Sequence, residues 1–116
     1  MKLADWTLGG EGIVYQDCPA CRARWYFARD FCPKCGAAAP TGIQASGRGH
    51  VYAVTQVNRA PSDALRAAVP YTIVLVDAVE GFRLMGHGAP SLKIGDPVRA
   101  GFILFDGKRV PFFAPG

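Results

Sequence analysis

The sequence predicts a mostly β fold in two parts, a short cysteine module followed by a small five-stranded barrel. Three observations carry that reading. The chain has 116 residues, of which 14 are glycine and 9 proline, far too much punctuation for a helical bundle and well suited to short strands joined by tight turns. All four cysteines fall in the first third, in two paired knuckles. From Ser46 onward cysteine is absent, and runs rich in Val, Ile, Leu and Phe alternate with Gly and Pro. A large multidomain enzyme is excluded by length. Hydrophobic residues at 50% and charged residues at 19% exclude a disordered chain.

The boundary between the parts is read at Gly36-Ala37-Ala38-Ala39-Pro40-Thr41-Gly42, a stretch low in charge, which divides the chain into 1–42 and 43–116. In the second part five strands are expected: His50 to Val57, Tyr71 to Val79, Phe82 to His87, Val98 to Phe105 and Val110 to Phe113. Glu80-Gly81 and Asp106-Gly107 supply hairpin turns, the latter the strong two-residue signal. One helical turn or two is expected over Ser62 to Val69, with Ser62 as N-cap and Pro70 as the stop. The start of the chain carries Asp5 where a secretory signal would be apolar, and no run approaches the roughly 18 apolar residues of a membrane span. A cytoplasmic protein with no membrane association is the expectation.

In that reducing compartment paired cysteines bind metal rather than form disulfides. Cys18-Pro19-Ala20-Cys21 and Cys32-Pro33-Lys34-Cys35 are two C-x-x-C knuckles ten residues apart, a spacing that lets two turns present four thiolates to one tetrahedral ion. Zinc held by four sulfurs has no open position, so its role is structural. A ribbon of this length has too little core of its own, and the metal supplies on the order of 10 kcal/mol of apparent folding free energy. Iron in a rubredoxin-like site ranks second. Gly36 follows the second knuckle as such sites favour, but Arg22 follows the first.

The order of motifs is similar to that of a known family. The two knuckles are followed by Ser46-Gly47-Arg48-Gly49-His50-Val51-Tyr52, Asn58-Arg59-Ala60-Pro61, Pro70-Tyr71-Thr72-Ile73-Val74-Leu75-Val76, Gly81-Phe82-Arg83-Leu84-Met85-Gly86 and Ile94-Gly95-Asp96-Pro97-Val98. Together they resemble the small proteins with an N-terminal rubredoxin-like zinc ribbon and a C-terminal OB-fold, over nearly the whole chain. The resemblance implies an accessory subunit that does no catalysis on its own. Such members pair, as hetero-oligomers, with thiolases and thiolase-like aldolases or acyltransferases acting on acyl-CoA thioesters, and help to form the coenzyme A site. The nucleophilic cysteine then belongs to the partner, which suits a chain whose four cysteines are committed to metal. Longer members carry helical residues before the first knuckle, for which Asp5 to Gly10 leave little room here.

Coenzyme A offers a diphosphate and a ribose phosphate, groups that arginine forks bind well. Among the basic side chains of the second part, Arg48, Arg59, Arg66, Lys93, Arg99, Lys108 and Arg109, the candidates are Arg59, beside Pro61 at a strand end, and Arg66, in the short helical loop. Loops at the mouth of an OB barrel are where its ligands meet it. The apolar residues flanking Arg66 suit partner docking as well as capping of the barrel. Trp6, Trp25, Tyr26 and Phe27 read as the ribbon's small core or as an interface anchor. His87, between two glycines, and His50 read as structural, and no catalytic residue is assigned. The net charge of +4 is small and spread along the chain. Phosphates on a small ligand satisfy it as well as a nucleic acid does, and a single-stranded nucleic-acid-binding module is the second reading. Against that reading, the exposed-looking strand positions are mostly Val, Ala and Thr.

Overall fold

Eight strands and one short 3-10 turn account for the named elements among the described residues, 4–59, 63, 69–105 and 107–116, of a computed structural model. The strands are β1 (Val14–Asp17), β2 (Arg24–Trp25), β3 (Thr41–Gln44), β4 (Arg48–Val57), β5 (Tyr71–Ala78), β6 (Arg83–Gly88), β7 (Pro97–Phe105) and β8 (Lys108–Pro115). The helical expectation over Ser62 to Val69 lies, apart from Asp63 and Val69, outside the described residues. Among the described residues no helix is long and apolar enough to cross a membrane.

Two compact units result, one of residues Met1–Ser46 with Glu80–Arg83, the other of Gly47–Val79 with Leu84–Gly116. In the first, β1 is the centre of a three-stranded antiparallel sheet in the order β2-β1-β3. Strand β3 opens at Thr41, within the stretch that composition marks as a linker, because its backbone pairs with β1 from Thr41↔Asp17 to Gln44↔Val14. Pairing across a sheet is a non-local gain that the local Pro40 and Gly42 signals cannot report. The apolar core of this unit is small. Ile13, Tyr15 and Phe82 are buried beside Cys18 and Cys32. Phe82 stacks on Tyr15 at 4.8 Å between ring centroids, and Tyr26 lies beyond it at 5.8 Å.

The second unit is a closed barrel in the order β4-β5-β6-β8-β7. Its five strands fall where the apolar runs place them, with ends shifted by one or two residues. Alternation of buried and less buried positions along β5 and β6 gives the barrel one inward face. Val51, Val74, Val76, Leu84, Leu92, Val98 and Phe113 fill it. Burying a ring as fully as Phe113, at 1% exposure, stabilises by about 1.5–3 kcal/mol. Closure needs curvature, and β4 provides it: its register against β5 shifts between Val51 and Ala53, so that Tyr52 is the extra residue of a bulge. β7 and β8 pair down to Phe105↔Lys108, which leaves a two-residue turn with Gly107 at φ 74°.

Candidate metal centre

Each knuckle begins with a cysteine whose backbone is closed by the residue that follows the second cysteine. Arg22 N–H donates to the Cys18 carbonyl at 2.9 Å, and Gly36 N–H donates to the Cys32 carbonyl at 2.9 Å. The two turns are thus copies of one geometry. Each also aims backbone N–H groups at sulfur: Cys21 N to Cys18 Sγ at 3.4 Å, and Lys34 N and Cys35 N to Cys32 Sγ at 3.3 and 3.4 Å. Outward-facing turns of this kind leave Cys21 and Cys35 exposed and Cys18 and Cys32 buried.

The four Sγ atoms lie within 4.8 Å of one another, with Cys18 and Cys35 at 3.5 Å and Cys21 and Cys32 at 3.7 Å. A tetrahedral ion with metal–sulfur bonds of about 2.3 Å places its sulfurs about 3.8 Å apart, so the donor set fits such an ion. Electrostatics agree. At Cys18 the Cys21 N–H lowers the thiol below its usual range. Burial raises Cys32, but the N–H groups of Cys35 and Lys34 outweigh it and bring the thiol down to about 6. The Ala37 backbone lowers Cys35, yet its contacts with the Cys18 and Cys21 sulfurs prevail and push it up to about 12. A metal ion binds the thiolates, so its binding releases whatever protons the four sulfurs hold.

A second constellation is built in the same unit, and the sequence gives no sign of it. Asp5 is buried at 6% exposure and accepts from Thr7 N–H at 3.2 Å, the Thr7 hydroxyl at 2.6 Å, Val14 N–H at 2.9 Å and the Tyr26 hydroxyl at 2.9 Å. Tyr26 in turn accepts from the Trp6 indole at 2.8 Å. Burial, then the Asp5 carboxylate, pushes the Tyr26 phenol well above its usual range, so it stays a donor. Trp6 and Tyr26 are therefore fixed in the ribbon, and Trp25 is held through its indole N–H on the Gln16 side-chain oxygen at 2.7 Å. Phe27 instead is 65% exposed, in the left-handed region at φ 70°. Arg24 binds Asp17 at 3.0 Å and lies over the Tyr15 ring, while Arg22 and Arg29 are exposed.

Of the two arginines singled out for phosphate, Arg59 is exposed just beyond β4, and Arg66 lies outside the described residues together with its apolar flanks. Arg48 and Arg99 are brought directly opposite each other on β4 and β7, which sequence separation hides. His50 is exposed on β4 opposite Asp77. His87 is part of β6, and its burial lowers its pKa.

With this geometry in view, likeness to known proteins is informative. Residues 42–102 match the family model described as ChsH2, C-terminal OB-fold domain. The chain belongs to this family. A solved structure described as an Ltp2-ChsH2(DUF35) aldolase contains a chain 31% identical to this one, superposing with a TM-score of 0.72 over 88% of this chain and 83% of that one. A DUF35 domain-containing scaffold protein of Methanocaldococcus jannaschii is 36% identical over 71 residues, 60% of this chain and 50% of that protein. The present chain thus spans about half the length of that relative. A DUF35 structure of unknown function from Sulfolobus solfataricus shares the fold, at 15% identity and a TM-score of 0.60 over 90% of this chain. The OB-fold of this family and the cluster of four cysteines expected from the sequence are both present in the chain.

Proposed function

We propose that this chain is a non-catalytic, zinc-binding OB-fold subunit of a thiolase-superfamily enzyme that acts on acyl-CoA thioesters. The observation that carries the reading is the 31% identity, over most of both chains, with a component of the Ltp2-ChsH2(DUF35) aldolase. The chemistry of the chain supports it. Cys18, Cys21, Cys32 and Cys35 hold a zinc ion whose four sulfur ligands leave no site for water or substrate, so the ion supplies rigidity rather than Lewis acidity. The bond-making cysteine then resides in the partner, which this subunit stabilises in the cytoplasm as a hetero-oligomer. Arg59 and Arg66 contribute cationic forks for the phosphates of the coenzyme.

Purification of the tagged chain from its native cell at moderate salt tests the reading. A stoichiometric thiolase-like protein and one zinc per chain are the expected result. Full activity of that partner without this chain overturns the accessory role, and stoichiometric iron with a red colour overturns the zinc assignment. In the complex, Arg59→Ala and Arg66→Ala weaken coenzyme A binding; unchanged affinity in both removes the phosphate role.

A further inference from the structure

Outward positions of a small barrel ordinarily meet water and carry polar side chains. Three neighbouring strands depart from that rule. Tyr71 on β5, His87 on β6 and Phe112 on β8 alternate with the buried Thr72, Gly88 and Phe113, so their side chains point away from the core. Parallel pairing sets His87 beside Phe112. The β7–β8 hairpin then brings Phe105 to 4.2 Å from the His87 ring and 4.9 Å from the Tyr71 ring, and Tyr71 and His87 are themselves 5.5 Å apart. With Ile103 and Pro90 these rings line a recess of about 370 Å³. That volume is within the ordinary range of small-molecule sites.

The polar content of the recess is sparse and specific. Among the described residues, neither the Tyr71 hydroxyl nor the His87 imidazole has a hydrogen-bond partner. Lys108 is the cross-strand partner of Phe105, and paired residues of an antiparallel ladder project to the same face, so its side chain leaves the barrel on the face that carries the recess. The next residue goes the other way, as alternation requires: Arg109 lies over Phe102, 3.7 Å from the ring centroid. Among the described residues Lys108 has no carboxylate partner. Flat apolar walls, the polar groups of Tyr71, His87 and Thr72, and a cation on the same face define a ligand with matching parts. The face is moreover built from the second and third strands of the barrel and the hairpin between its last two, the region through which OB-folds take ligands.

We propose that this recess binds a small planar ring carrying one anionic group, with the ring against Tyr71, His87 and Phe105 and the anion at Lys108. Two sources share that chemistry, a mononucleotide and an aromatic carboxylate. The site uses neither Arg59 nor Arg66 and needs no second protein, so its failure and the failure of the aldolase-subunit reading are separately observable.

The test is a titration of the ¹⁵N-labelled, zinc-loaded full chain with AMP and with phenylacetate, each beside its uncharged counterpart, adenosine and phenylacetamide. Saturable shifts of the Tyr71, His87, Phe105 and Lys108 amides at millimolar probe or below are expected for at least one charged probe, and the probe that binds identifies the source. Phe105→Leu is expected to weaken that probe about tenfold, as removal of a stacking ring does. Lys108→Gln, at an exposed position, is expected to erase the preference for the charged over the uncharged form, about threefold to tenfold. Absence of saturable shifts at these amides with both charged probes overturns the proposal, and so does a preference unaltered by Lys108→Gln. Steeply salt-dependent binding of a single-stranded oligonucleotide with both small probes silent also overturns it, in favour of a nucleic-acid surface.

Discussion

Arg22 occupies in the first knuckle the position that Gly36 holds in the second, and both adopt left-handed backbone, at φ 67° and 80°. A side chain in that region costs about 1–2 kcal/mol. Arg22→Gly removes the cost but makes the unfolded chain freer by about 0.4–1 kcal/mol, so a net gain of about 0.5–1 kcal/mol is expected. Denaturant unfolding of the metal-loaded chain measures it; a loss of stability would show that the Arg22 side chain contributes more than its backbone costs. His87 gives a pH signature. Burial lowers its folded-state pKa, whereas the unfolded imidazole titrates near about 6.5. The unfolded chain therefore binds more protons between the two values, and stability rises with pH across that window. The contribution is fully present above about pH 6.5 and is lost as pH falls from there toward the folded-state pKa. Thermal midpoints from pH 7 to 5 are expected to fall more steeply for the native chain than for His87→Gln, and the His87 ring protons to titrate below 6.5.

At the scale of elements, the Gly47-Arg48-Gly49 segment has a physical reason that its motif alone does not convey. Gly47 sits at φ 85° and turns the chain into β4. At Gly49, paired with Ala78, a Cβ would come within 2.5 Å of the Asp77 carbonyl oxygen and 2.6 Å of Val76 Cγ1. Gly49→Ala is expected to part β4 from β5 and to cost about 2–3 kcal/mol. Gly101→Ala, whose Cβ meets nothing nearer than 3.9 Å, is the matched control and is expected to change stability by less than about 1 kcal/mol. Equal effects would show that close approach is not what the Gly49 position demands. The strands themselves were legible because their signal is local: apolar runs such as Tyr71 to Ala78, bounded by Pro70 and Glu80-Gly81, announce length and ends. So were the cysteines, since metal geometry dictates ligand spacing. Asp5 was not, because one carboxylate among nine acidic residues acquires its four donors only when Val14 and Tyr26 fold back on it. The rings of Tyr71, His87, Phe105 and Phe112 were hidden for the same reason. They are separated by up to 41 positions along the chain and converge only through barrel closure, which is how strands whose residues read as Val, Ala and Thr come to present an aromatic face.

For the whole molecule, the two units differ in what holds them together. Among the described residues the barrel buries seven apolar side chains of its own, from Val51 to Phe113. The cysteine unit buries Ile13, Tyr15 and Phe82, and the rest of its interior is sulfur and the Asp5 network. Three apolar side chains supply roughly 5–9 kcal/mol by area, less than the conformational entropy of ordering some forty residues. A bound metal contributes about 10–16 kcal/mol in comparable small domains, more than those three side chains together. Removal of the ion by a strong chelator is therefore expected to unfold the cysteine unit while strand structure in the barrel survives. Both tryptophans lie in the cysteine unit, so indole fluorescence reports on it, and far-ultraviolet circular dichroism follows the strands. The expected outcome is a large fluorescence change with most of the dichroism retained, reversed by added zinc. Loss of both signals in one step would mean that the barrel depends on the metal as well, and its seven buried side chains do not suffice alone. Retention of both would mean that Asp5, Tyr26 and Trp6 hold the ribbon without an ion, and that the four sulfurs are not its source of stability.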